Sequence, residues 1–138
     1  MRKILLYIIL SLSGIDGAWA LPIEKEGMNI YSPSLKQEVS YSIILPEGYE
    51  HSDIEYPVLY MFDGQNIFSK KNSEGYEWNV DLTASRLVKN GLLEKIIIVG
   101  IANAGLKRLE EYIPYVYDSS KEYSEWFVKK LVKYIDCK

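Results

Sequence analysis

Asp63-Gly64-Gln65-Asn66 stand where chemistry could be done, because they follow directly on the unbroken apolar run Val58-Leu59-Tyr60-Met61-Phe62. A turn of these residue types offers backbone N–H, amide and carboxylate groups at the carboxyl end of a strand, where open α/β sheets bind ligands. An Asp-Gly pair is equally an ordinary connection between elements, so residue type alone leaves both readings open. Arg108 with Glu110 and Glu111 forms a second polar group, either the lining of a pocket or a solvated charge cluster. His51 is the one histidine and Cys137 the one cysteine. His51 lies in a polar run, where a surface histidine without a role is the simpler reading, and Cys137 has no histidine near it in sequence. Together they cannot build a zinc site without carboxylates drawn from far apart, and no glycine pattern for phosphate binding is present. No metal or cofactor is therefore expected.

Nucleophilic acyl transfer needs a nucleophile in an exposed turn, a base within reach and donors aimed at the oxyanion that develops. The serine elbow of that chemistry reads Gly-x-Ser-x-Gly between a strand and a helix. No serine of this chain stands in that frame. Ser119 and Ser120 read as helix caps, and no catalytic serine, acid or base is expected among these residues.

The elements that must position such groups are legible from periodicity. Val39, Tyr41, Ile43 and Leu45 recur at period two and predict a strand with one buried face. The run from Val58 is apolar on both faces, as in a strand placed inside a sheet covered on both sides. Val80, Ala84, Leu87 and Val88 lie on one helical face, with Asn79 as cap and Gly91 just past the end. Ile96 to Ile101 predicts a second fully apolar strand. Ser119 and Glu122 have capping-box spacing ahead of Phe127, Leu131, Tyr134 and Ile135. The residues after Pro22 read as a short polar stretch. The order strand, strand, helix, strand, helix describes one α/β unit.

At the amino end, Arg2 and Lys3 precede an apolar run from Ile4 to Leu12 and the segment Ala18-Trp19-Ala20. This is the build of a secretory signal peptide, too short to span a bilayer permanently, with cleavage expected after Ala20. Residues 1–20 are thus read as leader and 21–138 as the domain, secreted or periplasmic, with no stable membrane span after cleavage. The net charge of −3 offers no basic surface for nucleic acid.

Several segments in order resemble the esterase family of α/β-hydrolases that includes enterochelin-esterase-like and feruloyl-esterase-like acyl hydrolases. They are YSIILPEGY (Tyr41 to Tyr49), YPVLYMFDGQNIF (Tyr56 to Phe68), Trp78, IVGIAN (Ile98 to Asn103), and Arg108 followed by Glu111-Tyr112-Ile113-Pro114. The resemblance implies the amino-terminal half of an α/β-hydrolase fold, with a mostly parallel central sheet flanked by helices. It implies a carboxylic-ester hydrolase acting on a small-molecule ester. The Gln65 backbone N–H, presented by Gly64, becomes the candidate oxyanion donor, and Asp63, Asn66, Arg108 and Tyr112 become candidates for the substrate pocket. The nucleophile strand would pair beside the strand at Val58 and follow these residues, so this chain is expected to be inactive alone and open to a complementing carboxy-terminal half. A non-catalytic envelope protein is the competing reading, with the tyrosines and Trp78 as a platform for carbohydrates or aromatic ligands.

Overall fold

The computed structural model describes residues 23–33, 35–68, 77–113 and 115–137. The leader assigned to residues 1–20 lies outside them. Four strands, β1 (Ile23–Ser32), β2 (Gln37–Leu45), β3 (Val58–Phe62) and β4 (Ile97–Ile101), form one sheet. Helices α1 (Val80–Lys89), α2 (Arg108–Tyr112), α3 (Asp118–Trp126) and α4 (Val132–Asp136) accompany it, and a π-helical turn, Phe127–Leu131, joins α3 to α4.

The sheet order is β1-β2-β4-β3, with β1–β2 and β2–β4 antiparallel and only β3–β4 parallel. The expected mostly parallel sheet is thus corrected to a mixed one. The connections explain it: the short turn between Ser32 and Gln37 returns the chain antiparallel, whereas β3 reaches β4 through α1, a crossover long enough for parallel pairing. β1 itself was hidden in the polar stretch after Pro22. It is an edge strand, which needs no apolar run, and its register is broken between Lys25 and Met28, where Gly27 takes φ 66° in a β-bulge.

Both faces of the sheet are covered. On one, Val39 and Tyr41 of β2 and Val99 and Ile101 of β4 pack against Tyr123, Trp126, Leu131 and Ile135. On the other, Ile44 and Ile98 pack against Ile67 and Phe68, with Val80 and Ala84 of α1 alongside. The two faces follow from strand periodicity, since successive side chains point to opposite sides. Of the two unbroken apolar runs, β4 is the central strand, paired on both edges. β3 pairs with β4 alone among the described residues, and its Leu59 and Phe62 are each 44% exposed.

The helix ends depart from their expected chemistry. Asn79 does precede α1, but in the left-handed region and without a side-chain cap bond. Gly91 closes α1 as expected: at φ 68° its N–H reaches the Val88 carbonyl at 3.0 Å, while Leu92 N–H reaches Leu87 at 2.9 Å, a Schellman pair. The capping box at Ser119 is not formed. Both Ser119 and Ser120 lie inside the first turn of α3, and their hydroxyls donate to the Glu110 carbonyl, tying α3 to α2.

Along the last helical stretch the buried residues Tyr123, Trp126, Leu131 and Ile135 are spaced by three, five and four. The spacing of five falls on the π turn, whose wider winding brings Leu131 rather than Lys130 under the sheet. Among the described residues no helix is long and apolar enough to cross a membrane.

Leu131 is fully buried, so Leu131→Ala is expected to lower unfolding free energy by about 3 kcal/mol in urea titration, and Lys130→Ala by less than about 0.5 kcal/mol. Equal losses would mean that the π turn does not select the buried residue.

Candidate functional site

The turn after β3 is built on a close approach of two backbones. Gly64 opens a single 3₁₀ turn through Asn66, closed by Asn66 N–H to the Asp63 carbonyl (3.0 Å) and Ile67 N–H to the Gly64 carbonyl (3.4 Å). A Cβ added to Gly64 would lie 2.5 Å from Ile101 N and 2.6 Å from the Gly100 carbonyl oxygen. One added to Gly100 would overlap the Ile67 side chain and stand 3.0 Å from Gly64 Cα. Gly64 is therefore required for contact with β4. The left-handed residue of the turn is Asp63, at φ 57° and ψ 40°. Fully buried Ile67 anchors the far side of the turn.

Asp63 is 8% exposed, and both its carboxylate oxygens are engaged. Oδ1 accepts from Asn103 Nδ2 at 2.6 Å, from Arg108 Nε at 2.8 Å and, more distantly, from the Tyr112 hydroxyl at 3.4 Å; Oδ2 accepts from Arg108 Nη2 at 2.6 Å. The two-pronged Arg108 contact is the geometry that makes such pairs strong. It holds the Asp63 carboxyl below its usual range, with Asn103 and Tyr112 acting in the same direction against burial. The guanidinium also lies 5.1 Å from the centroid of the Tyr112 ring. Burial, with the nearby Asp63 charge, pushes the Tyr112 phenol up to about 12.

The loop after β4 meets the same turn. Asn103 N–H donates to Gln65 Oε1 at 3.3 Å, Asn103 Oδ1 accepts from Gly105 N–H at 2.8 Å, and Glu111 Oε2 accepts from Ala104 N–H at 3.0 Å. Glu111 is 7% exposed, and burial raises its pKa. Gln65 is exposed, and its backbone N–H is not among the donors that close the turn.

The structure thus gathers Asp63, Gly64, Gln65, Arg108 and Tyr112 at the carboxyl ends of the parallel pair β3–β4, the position that binds ligands in such sheets. Asn66 is half-buried, and its carbonyl accepts Trp78 N–H at 2.7 Å, which joins the turn to the start of α1. His51 sits in an exposed turn between β2 and β3. The register pairs Ile98 with both Ile44 and Leu59, so the chain leaving β2 lies at the amino ends of β3 and β4, opposite Asp63. Cys137 is exposed near the carboxyl end. Among the described residues no group of three metal-ligating side chains forms. Sequence reasoning passed over Asn103 as a site residue. The rule that selected Asp63, a polar residue just past an apolar strand, would also have selected Asn103, two residues beyond Ile101.

The profile of the family described as "Putative esterase" matches residues 32–137. No curated protein sequence matches the chain. Among solved structures, an IroE-like serine hydrolase from Shewanella oneidensis is 25% identical with a TM-score of 0.66, over 84% of this chain and 38% of its own. A CE1 ferulic acid esterase from Anaeromyces mucronatus is 21% identical (TM-score 0.58, 89% of this chain and 46% of its own). The BES protein from Bacillus cereus is 19% identical (TM-score 0.58, 95% and 50%). The chain therefore spans at most half the length of these neighbours.

Two outcomes follow from the geometry. Gly64→Ala must push two backbones apart, and a loss of about 3 kcal/mol or more is expected by urea denaturation; a loss below about 1 kcal/mol would deny the close approach. The lowered Asp63 pKa contributes stability that is full above about pH 4 and is lost as pH falls through the lower folded value. Asp63→Asn should therefore flatten the acid limb of a stability-against-pH curve below pH 4 relative to wild type, and parallel limbs would exclude this linkage.

Proposed function

This chain belongs to the esterase family whose profile it matches over residues 32–137, and from that premise we propose that it forms the oxyanion-binding side of a site hydrolysing small carboxylic esters. One observation carries the proposal. The turn at Asp63–Asn66 stands at the carboxyl end of β3, braced against β4, with the exposed Gln65 contributing no backbone N–H to the bonds that close it.

In α/β-hydrolases one oxyanion donor follows the nucleophile and the other comes from the loop after the third strand. Gln65 N–H takes the second role here. A rigid backbone donor at that position needs no reorganisation as the ester carbonyl becomes a tetrahedral oxyanion, and one such donor contributes about 3 kcal/mol to the transition state. It acts only once a nucleophile has attacked.

No Gly-x-Ser-x-Gly frame occurs in the 138 residues. The proposal therefore assigns the serine, its base and the acid to polypeptide other than these residues, pairing along the edge of β3 that no strand covers among the described residues, and holds this chain inactive alone. A share of at most 50% of the neighbours' length supports that assignment. Export is part of the same reading, and rests on Arg2, Lys3, the apolar run Ile4 to Leu12 and Ala18-Trp19-Ala20.

Hydrolysis of p-nitrophenyl acetate, and labelling by a fluorophosphonate probe, test it. The chain alone should neither turn over ester nor take the label; co-expressed with the polypeptide encoded directly downstream, it should yield a complex that hydrolyses ester, with the label on the partner. A fluorophosphonate adduct on this chain, or no complex and no turnover after co-expression, would overturn the proposal.

A further inference from the structure

An aspartate in the left-handed region at a reactive turn calls for an explanation. That conformation costs an ordinary L-residue about 1–2 kcal/mol, and aspartate is among the few that adopt it more readily, where hydrogen bonds hold its side chain. Here the contacts converge from three segments. Asp63 belongs to the turn after β3, Asn103 to the loop after β4, and Arg108 and Tyr112 to α2. The Asp63 side chain is 11% exposed and its carboxylate receives four donors, three on Oδ1 and one on Oδ2, so little of it faces a ligand.

We propose that Asp63 is the positioning residue of the oxyanion turn: its carboxylate, gripped by Arg108, Asn103 and Tyr112, holds the left-handed backbone that aims the Gln65 N–H, and it does not contact substrate. The inference rests on the oxyanion reading above and replaces a pocket-lining role for Asp63 with a mechanical one. It also gives Arg108 two faces. Its Nε and Nη2 serve the turn, while the side chain stays 46% exposed beside Tyr112.

The inference requires the clamp to act on the turn rather than on the fold at large. Asparagine tolerates the left-handed region as aspartate does, so Asp63→Asn removes charge and leaves the backbone preference. The readout is hydrogen exchange of the full 138-residue chain followed by mass spectrometry. It reports Asn66 and Ile67, whose amides close the turn, against the amides of β2 and β4. Asp63→Asn and Arg108→Gln should each accelerate exchange in residues 63–68 about tenfold, the size of one charge-assisted hydrogen bond, and by clearly more than in β2 and β4, which register only the smaller change in global stability. The double variant should be no faster than either single one, and Arg108→Lys, which keeps the charge but loses the fork, should fall between.

Unchanged exchange at 63–68, acceleration spread equally over β2 and β4, or additive effects in the double variant would each overturn the clamp. The measurement involves no ester. An intact clamp in a protein that never hydrolyses ester in any pairing would therefore discard the reaction and keep the mechanics.

Discussion

Two glycines on neighbouring segments, Gly64 and Gly100, meet with no side chain between them, and the arrangement of the molecule follows from that contact. A turn can lie directly on a strand only where both lack a Cβ. Because Gly100 belongs to the central strand, the turn inherits the rigidity of the best-packed element, with Ile98 and Ile101 buried on opposite faces. Ile67 fills the space beside Gly100 and closes the second core. The turn at Asp63–Asn66 is thus part of the packed interior on one side while Gln65 remains exposed on the other.

The electrostatics of the site are uneven. Asp63 and Glu111 are both nearly buried, and Arg108 is bonded to only one of them. Asp63 holds the cation, which keeps its carboxyl charged to lower pH than an ordinary carboxylate. Glu111, which accepts from the Ala104 N–H, lies in the opposite regime, where burial favours its neutral form. Two carboxyl groups in one cluster, pushed apart in pKa by their surroundings, hold the loop after β4 at two adjacent residues, Asn103 and Ala104.

Much of this was legible beforehand because it rested on apolar periodicity. β2, β3, α1 and β4 all stand where alternation and unbroken runs place them, and Asp63, Gly64, Gln65, Arg108 and Tyr112 lie together past the ends of β3 and β4. What stayed hidden depended on pairing rather than pattern. β1 carries charges that an edge strand tolerates, so its sequence resembles a loop. Sheet direction is a property of connections and pairing, and antiparallel pairing on both sides of β2 turned an expected mostly parallel sheet into a mixed one. The π turn at Phe127–Leu131 shifts the helical face by one residue, which a fixed period of 3.6 cannot reveal. The serines at 119 and 120 match a capping motif, yet the Glu110 carbonyl from the preceding helix claims both hydroxyls.

The span of the Asp63 network has a bearing on the order of synthesis. Its partners Asn103, Arg108 and Tyr112 lie 40, 45 and 49 residues downstream, and β4, on which the turn rests, falls within the same interval. Once residue 112 has been synthesised, every group that shapes the turn is present. Chains elongate at about 5–20 residues per second, so this corner of the fold can form seconds before any later segment arrives. The corner around Asp63 is in that sense a prefabricated part, finished before the helices α3 and α4 that follow it in the chain.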